Sequence, residues 1–291
     1  EEPSNPVPPA IKIFFFFNII DKVFNLRYTQ YMRSAFHIKD KNIKSFFNEN
    51  GYAVVENFFS KRECDKFLKI ISKYSSKEYP PIMNPDREDF LISQSYKKME
   101  KFKKLKDKVK FIKNLQNDSH YFKSIITGKK ILNLLKIIKK KKLNALMSQM
   151  IFKKANTTYS FQSWEPHQDN SYPQNKNGEY VTINIFMNNS TKKNGTLFIW
   201  EKSHTYGIFD YKRKISYREK DNKPGNVSKS NKKFSKKILD FKIGDLLILH
   251  GNLVHGSFPN KSNKSRQLYS ASYLPVGEKF ISGANAQRKI I

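Results

Sequence analysis

Cysteine is almost missing: Cys64 is the single thiol in 291 residues. An intrachain disulfide framework is therefore excluded, a cysteine-built zinc site is disfavoured, and a reducing, cytoplasmic setting is expected. Long apolar runs are missing too. The stretch 11–20 (IKIFFFFNII) is far shorter than the ~20 residues that cross a bilayer. It follows an acidic, proline-rich segment and not a basic one, so it reads as a buried or surface-docked helix, with neither a signal peptide nor a transmembrane segment expected. Acidic residues are few, 25 against 55 Lys plus Arg, which leaves a formal charge of +30. Such a charge suits a polyanionic partner. Arginine, however, is scarce, and phosphate-reading surfaces use its bidentate fork. Lysine supplies nearly all the charge in a chain also rich in Asn, Ile and Phe, the mark of an AT-rich coding bias, and nucleic acid is not expected as a partner. What is present is core material: 38% hydrophobic and 14% aromatic residues, which excludes a disordered composition.

The first half reads as helical. Residues 39–50 form a helix stopped by Gly51, and 52–56 (YAVVE) a short strand. Ser60 and Glu63 make a capping box, and Cys64, Phe67, Leu68 and Ile71 recur at helical spacing over 61–74. Residues 79–89, with three prolines, read as loop. Helical spacing returns over 96–115 and in Ile131, Leu134, Leu135 and Ile138. The lysine run 139–142 then falls near a helix C-terminus, where the dipole favours positive charge. From about Ala145 the chain turns strand-rich: 147–153, 180–187, 196–200, 245–250 and 266–273. Asn194-Gly195 between two of these predicts a hairpin turn, and 209–237 reads as a basic surface loop. Helices followed by short antiparallel strands predict a helical layer around a β-sandwich or barrel.

Four of the six histidines lie in the strand-rich half. In His167-Gln168-Asp169, an extended strand would point residues i and i+2 to one face, so an imidazole and a carboxylate could share a metal. A third ligand from a distant strand would complete the two-His, one-carboxylate set of non-haem iron(II) oxygenases, with positions open for cosubstrate and dioxygen. H-x-D alone arises often by chance, and a surface turn explains it as well. His255-Gly256-Ser257, followed by Arg266, adds weight. Gly256 would let a ligand approach closely, and an arginine there suits a carboxylate clamp, against the plain reading of a surface ion pair. His250 competes with His255 for the third position. His204 could fix the loop 202–207 by hydrogen bonding, and His37 and His120 carry no assigned role.

Taken together, FFNENGYAVVENFFSKRECDKF, the HQD at His167 to Asp169, NNSTKKNGTLFIWEKSHTYG and GDLLILHGNLVHGSFPNKSNKSRQLYSASY resemble the phytanoyl-CoA dioxygenase-like 2-oxoglutarate oxygenases, which include ectoine hydroxylase. The resemblance runs from about residue 39 to 274, and its last segment is the most specific. It implies a double-stranded β-helix, a jelly-roll relative, with iron(II) in its mouth. It implies one oxygenase domain over 39–291, made of a helical part (39–144) and a β-helix core (145–275), behind an N-terminal extension (1–38). It implies His167, Asp169 and His255 as metal ligands, and Arg266 holding the distal carboxylate of 2-oxoglutarate with help from Ser257. Gln149 and Asn184, the latter sharing a face with Thr182, are further cosubstrate contacts on the same ground. The implied reaction consumes dioxygen and 2-oxoglutarate, hydroxylates a substrate and releases succinate and carbon dioxide; related halogenases lack the carboxylate ligand, so Asp169 favours hydroxylation. The basic segment 209–237 and the insert 79–144 depart from the family pattern. They leave open whether the substrate is a small organic molecule or an anionic acyl or lipid-type compound. The alternative from another class is a nucleic-acid-associated protein, dealkylating or merely binding, motivated by the +30 charge.

Overall fold

The computed structural model describes residues 35–37, 40–76, 111–155, 163–214, 225–229, 233–281 and 290–291. The expected helix at 11–20 and the loop 79–89 lie outside these residues, as does most of the stretch 96–115.

A small helical set precedes the sheets. Helix α1 (Ile43–Asn50) buries Ile43 and Phe47 and ends at Gly51 with φ 79°, whose N–H donates to Phe47 O at 2.8 Å. That left-handed cap suits glycine, which has no Cβ to clash. The helix starts later than 39, at Ile43, and the N–H of its N-cap residue Asn42 donates to the Asp40 carboxylate at 2.9 Å. Helix α2 (Lys61–Ser76) opens with the capping box: Ser60 N donates to Glu63 Oε2 at 2.7 Å, and Glu63 N to Ser60 Oγ at 3.2 Å. Short helices α3 (Leu115–Asp118) and α4 (His120–Ile126) lead into α5 (Lys129–Lys139), whose buried stripe is Ile131, Leu134, Leu135 and Ile138. The lysines after it have structural partners: Lys139 pairs with Glu179, and Lys141 with Glu179 and Glu278.

Thirteen strands are described. They are β1 (Ala35–Phe36), β2 (Tyr52–Val55), β3 (Phe111–Lys113), β4 (Leu143–Lys153), β5 (Trp164–His167), β6 (Val181–Phe186), β7 (Leu197–Trp200), β8 (Tyr211–Lys214), β9 (Gly225–Ser228), β10 (Lys236–Leu239), β11 (Leu246–His250), β12 (His255–Ser257) and β13 (Arg266–Pro275). One sheet has the order β1-β2-β11-β6-β13-β4-β3 and the other β10-β7-β12-β5. From β4 to β7, and again from β10 to β13, successive strands alternate between the two sheets. That alternation is the winding of a double-stranded β-helix, the jelly roll expected from the sequence.

Period-2 alternation assigns the two faces of the larger sheet. Val181, Ile183 and Ile185 join Ile248, Tyr269 and Tyr273 in a core with α1, α2, α4 and α5. Phe186, Leu247, Leu249 and Leu268 face inward and pack on Leu197, Ile199 and Leu239 of the smaller sheet. Thr182 and Asn184 share that inner face, where the wall is not filled by apolar side chains.

Three expectations are corrected. Asn194-Gly195 does not close a hairpin: β6 and β7 lie in different sheets. Lys192–Asn194 forms a 3-10 turn capped reciprocally by Thr191 and Asn194, and only Gly195 has positive φ, at 92°. The strands on either side are buried along their full length, and the chain satisfies both by crossing between layers. Residues 111–113, read as the tail of a helix, pair with β4 as a strand, because the long β4 offers an open edge. The basic segment 209–237 is not plain loop: β8 and β9 pair with each other, and β10 starts within it and pairs with β7.

Candidate metal centre

The site is built where β5 and β12 lie side by side. Their antiparallel register sets His255 directly opposite His167, with ring centroids 4.4 Å apart. Asp169 does not continue the strand. Gln168 is extended (φ −114°, ψ 129°), and Asp169 then opens a 3-10 turn, Asp169–Ser171. The chain thus turns inward at the carboxylate, and Oδ1 stands 3.7 Å from Nε2 of both His167 and His255. One ligand atom from each of the three residues falls within 4.8 Å of the others. Two donors at about 2.1 Å from one ion, at right angles to each other, stand about 3 Å apart, so a small inward adjustment closes the set on a cation.

Both imidazoles are oriented by a backbone carbonyl at Nδ1. His167 Nδ1 lies 2.7 Å from Glu165 O, and His255 Nδ1 lies 3.0 Å from Leu253 O. A carbonyl only accepts, so each Nδ1 carries a proton and Nε2 is the nitrogen left to face the cavity as a donor atom in the neutral ring. Burial, with His255 alongside, lowers the His167 pKa to about 4, which keeps that ring neutral. His250 stands apart from this group. It belongs to the larger sheet, opposite Val181. Its Nδ1 accepts from Asn252 N at 3.1 Å, and burial with His204 and Lys139 nearby lowers its pKa to about 3. His204 ties its 3-10 turn, Ser203–Tyr206, to Asn48 O at 3.0 Å, as its loop-fixing expectation held.

Gln168, the middle residue of HQD, was not singled out in the sequence and is fully buried. Its amide nitrogen donates to Gly207 O and Asn252 O, each at 2.6 Å, and its carbonyl accepts from Phe209 N at 2.7 Å. Asn170 bonds Asn252 Oδ1 at 2.8 Å behind it. These neutral amides clamp the backbone that carries both ligands of the motif. The signal was present in the sequence only as an amide flanked by two ligands. Gly256 lines the cavity, and a Cβ there would come within 2.5 Å of the Phe198 ring and 2.6 Å of Trp164 O, so the missing side chain also lets the neighbouring strands pack closely.

A cavity lies beside the three residues, lined by side chains of both sheets. Cross-strand rows build its wall. Arg266 faces Lys153, Leu268 faces Ile151, and Gln149, Ser270 and Asn184 form one row across three strands. Met147, Ser272 and Thr182 form the next. Ser257 and Trp164 also line it. Arg266 is 1% exposed; its Nε and Nη2 donate to Gly195 O at 3.2 and 3.1 Å. Its buried Nη1 has no partner among the described residues, and burial lowers its pKa to about 9. An unpaired guanidinium nitrogen in a closed pocket is what an incoming carboxylate would satisfy. The Thr182 and Ser272 hydroxyls are likewise buried and unpartnered among the described residues.

Comparison with known proteins shows the family and the fold. The profile of the phytanoyl-CoA dioxygenase (PhyH) family matches residues 47–268. Phytanoyl-CoA dioxygenase 1 of Oryza sativa subsp. japonica is 25% identical, covering 82% of this chain and 90% of its own length. A probable alpha-ketoglutarate-dependent hypophosphite dioxygenase of Stutzerimonas stutzeri is 24% identical, covering 77% and 75%. Among solved structures, EctD from S. alaskensis superposes with TM-score 0.63 at 12% identity over 87% of this chain and 83% of its own. The epimerase SnoN in complex with Fe3+, alpha ketoglutarate and nogalamycin RO gives 0.62 at 13% identity over 86% and 92%.

Proposed function

Because the chain belongs to the phytanoyl-CoA dioxygenase family, we propose that it is an iron(II)- and 2-oxoglutarate-dependent oxygenase in which His167, Asp169 and His255 hold the metal. The observation that carries this assignment is the convergence of two imidazole Nε2 atoms and one carboxylate on a cavity whose lining also holds Arg266, its buried Nη1 without a partner among the described residues. Two imidazoles and one carboxylate leave coordination positions open, and iron(II) bound there supplies the activation of dioxygen that couples decarboxylation of 2-oxoglutarate to substrate hydroxylation.

The chain's own residues then divide the work. Arg266 Nη1 and the Ser257 hydroxyl receive the distal carboxylate, and Ile151 and Leu268 flank the methylene chain. Gln149 and Asn184 reach the keto-acid end from the row shared with Ser270. The apolar wall lowers the local dielectric and excludes water, which strengthens each of these bonds. Thr182 and Ser272, one row further from Arg266, are left for the substrate. Two neighbouring hydroxyls without partners among the described residues, in a lining shared with Met147 and Tyr180, suit a small organic molecule bearing a hydrogen-bonding group, and favour it over a purely hydrocarbon chain. No helix of the described residues is long and apolar enough to cross a membrane. A cytoplasmic setting belongs to the same reading, with Cys64 a buried free thiol.

The test is turnover of 2-oxoglutarate. Purified protein with iron(II) should form succinate slowly without substrate and faster with a correct one, whose mass rises by one oxygen. Asp169→Ala should abolish both reactions. Iron-loaded protein that forms no succinate at all would remove the oxygenase assignment.

A further inference from the structure

Behind Arg266 stands a second buried cation. Lys153 is directly opposite Arg266 in the β4–β13 register and is 1% exposed. Its ammonium donates to Ser257 Oγ at 2.7 Å and to Phe258 O, with Gly195 O at 3.5 Å. Arg266 donates to the same Gly195 carbonyl. Among the described residues no carboxylate contributes to the surroundings of either charge: burial and then Arg266 hold Lys153 well below the usual lysine range, and burial alone lowers Arg266. Two adjacent, buried, unpaired cations repel each other and are costly to desolvate. A single arginine with its fork would suffice to orient a carboxylate, so the second charge calls for its own account.

The donor directions supply one. An ammonium has only hydrogens to give, so Ser257 Oγ must accept from Lys153. The Ser257 hydroxyl proton is then left to donate elsewhere, and Ser257 lines the cavity. Polarisation by the ammonium strengthens that donation. We propose that Lys153 is a positioning residue for the cosubstrate: through Ser257 it presents a polarised hydroxyl beside Arg266 Nη1, and its charge makes the closed end of the pocket selective for a 2-oxo acid with a distal carboxylate. This rests on the cosubstrate reading given above. It differs from a purely structural role, in which Lys153 only ties β4 to the segments at Gly195 and Phe258.

Binding to the protein loaded with manganese(II), a redox-inert stand-in for iron, separates these roles without turnover. Calorimetric titration compares 2-oxoglutarate with 2-oxopentanoate, which carries a methyl group where the cosubstrate has its distal carboxylate. Lys153→Met should weaken 2-oxoglutarate by about tenfold or more, the scale of a lost charge-assisted contact, and leave 2-oxopentanoate nearly unchanged. In a Ser257→Ala background the same substitution should cost less, because the two act in series. If Lys153→Met does not fold, Lys153→Gln, which keeps a donor to Ser257 and loses the charge, is read in the same way. Equal weakening of both acids, or of neither, overturns the proposal in favour of a structural tie. Failure of the unaltered protein to bind 2-oxoglutarate would instead overturn the cosubstrate reading, and this inference with it.

Discussion

At the scale of single residues, the site depends on side chains that are buried and polar, where removing a partner costs more than the bond itself contributes. Arg266→Ala removes a charged donor from a closed pocket. The 2-oxoglutarate KM should rise by about 10- to 100-fold, the equivalent of ~1.5–3 kcal/mol, with a smaller effect on kcat at saturation. An unchanged KM would take the clamp role from Arg266. Gln168→Leu keeps the volume but strands Gly207 O, Asn252 O and Phe209 N. Stability should fall by about 2–4 kcal/mol, read from denaturant unfolding, and bound iron should be lost faster to a chelator because both ligand positions loosen. Of these residues, His167 and Arg266 belong to scarce residue types in a lysine-rich chain, and Asp169 is marked by standing two positions after His167. Lys153 is one lysine among many, and Gln168 carries no mark of its own until burial distinguishes it.

At the scale of elements, local signals and long-range pairing contribute differently. The Ser60 and Glu63 capping box is a local device, legible as S-x-x-E and present with both bonds formed. Ser60→Ala should cost about 1 kcal/mol and lower the melting temperature, leaving metal affinity unchanged, because α2 packs on the outer face of the larger sheet, away from the ligands. A change in iron binding would show that the helical layer couples to the site. Turn chemistry was less informative. Asn-Gly between two apolar runs is the commonest hairpin signal, yet here it serves a crossover, because local backbone preference does not specify which sheet receives the next strand.

At the scale of the whole molecule, the buried neutral histidines tie stability to pH. His250 has its folded pKa lowered to about 3, mainly by burial, while an unfolded histidine titrates near 6.5. Its folded pKa is depressed, so below about pH 7 the unfolded chain binds a proton that the folded chain does not. Stability therefore falls with acid and rises towards neutrality, by about 2 kcal/mol between pH 5 and pH 8 for this one group. Replacing His250 by Asn should flatten the acid arm of the melting curve against pH; an unaltered arm would mean that other groups set it. The net charge of +30 acts at this scale as well. Self-repulsion should be relieved by salt, and melting temperature should rise as sodium chloride increases from about 20 to 300 mM, where the Debye length shortens from roughly 20 to below 8 Å.

Several properties were determined by the sequence alone. Apolar patterning placed α2, α5 and the strands β2, β4, β6, β11 and β13 of the larger sheet within a few residues, because burial of one face is a local pattern repeated along an element. Residue types and order pointed to the oxygenase family. The tertiary structure decided which histidine meets which. His250 and His255 are five residues apart, and nothing local separates them; strand pairing puts the first in the larger sheet and the second opposite His167 in the smaller one. The same pairing set Lys153 beside Arg266, 113 positions away in the chain. Proximity between distant residues is created by register and burial, and neither exists until the strands have found their partners.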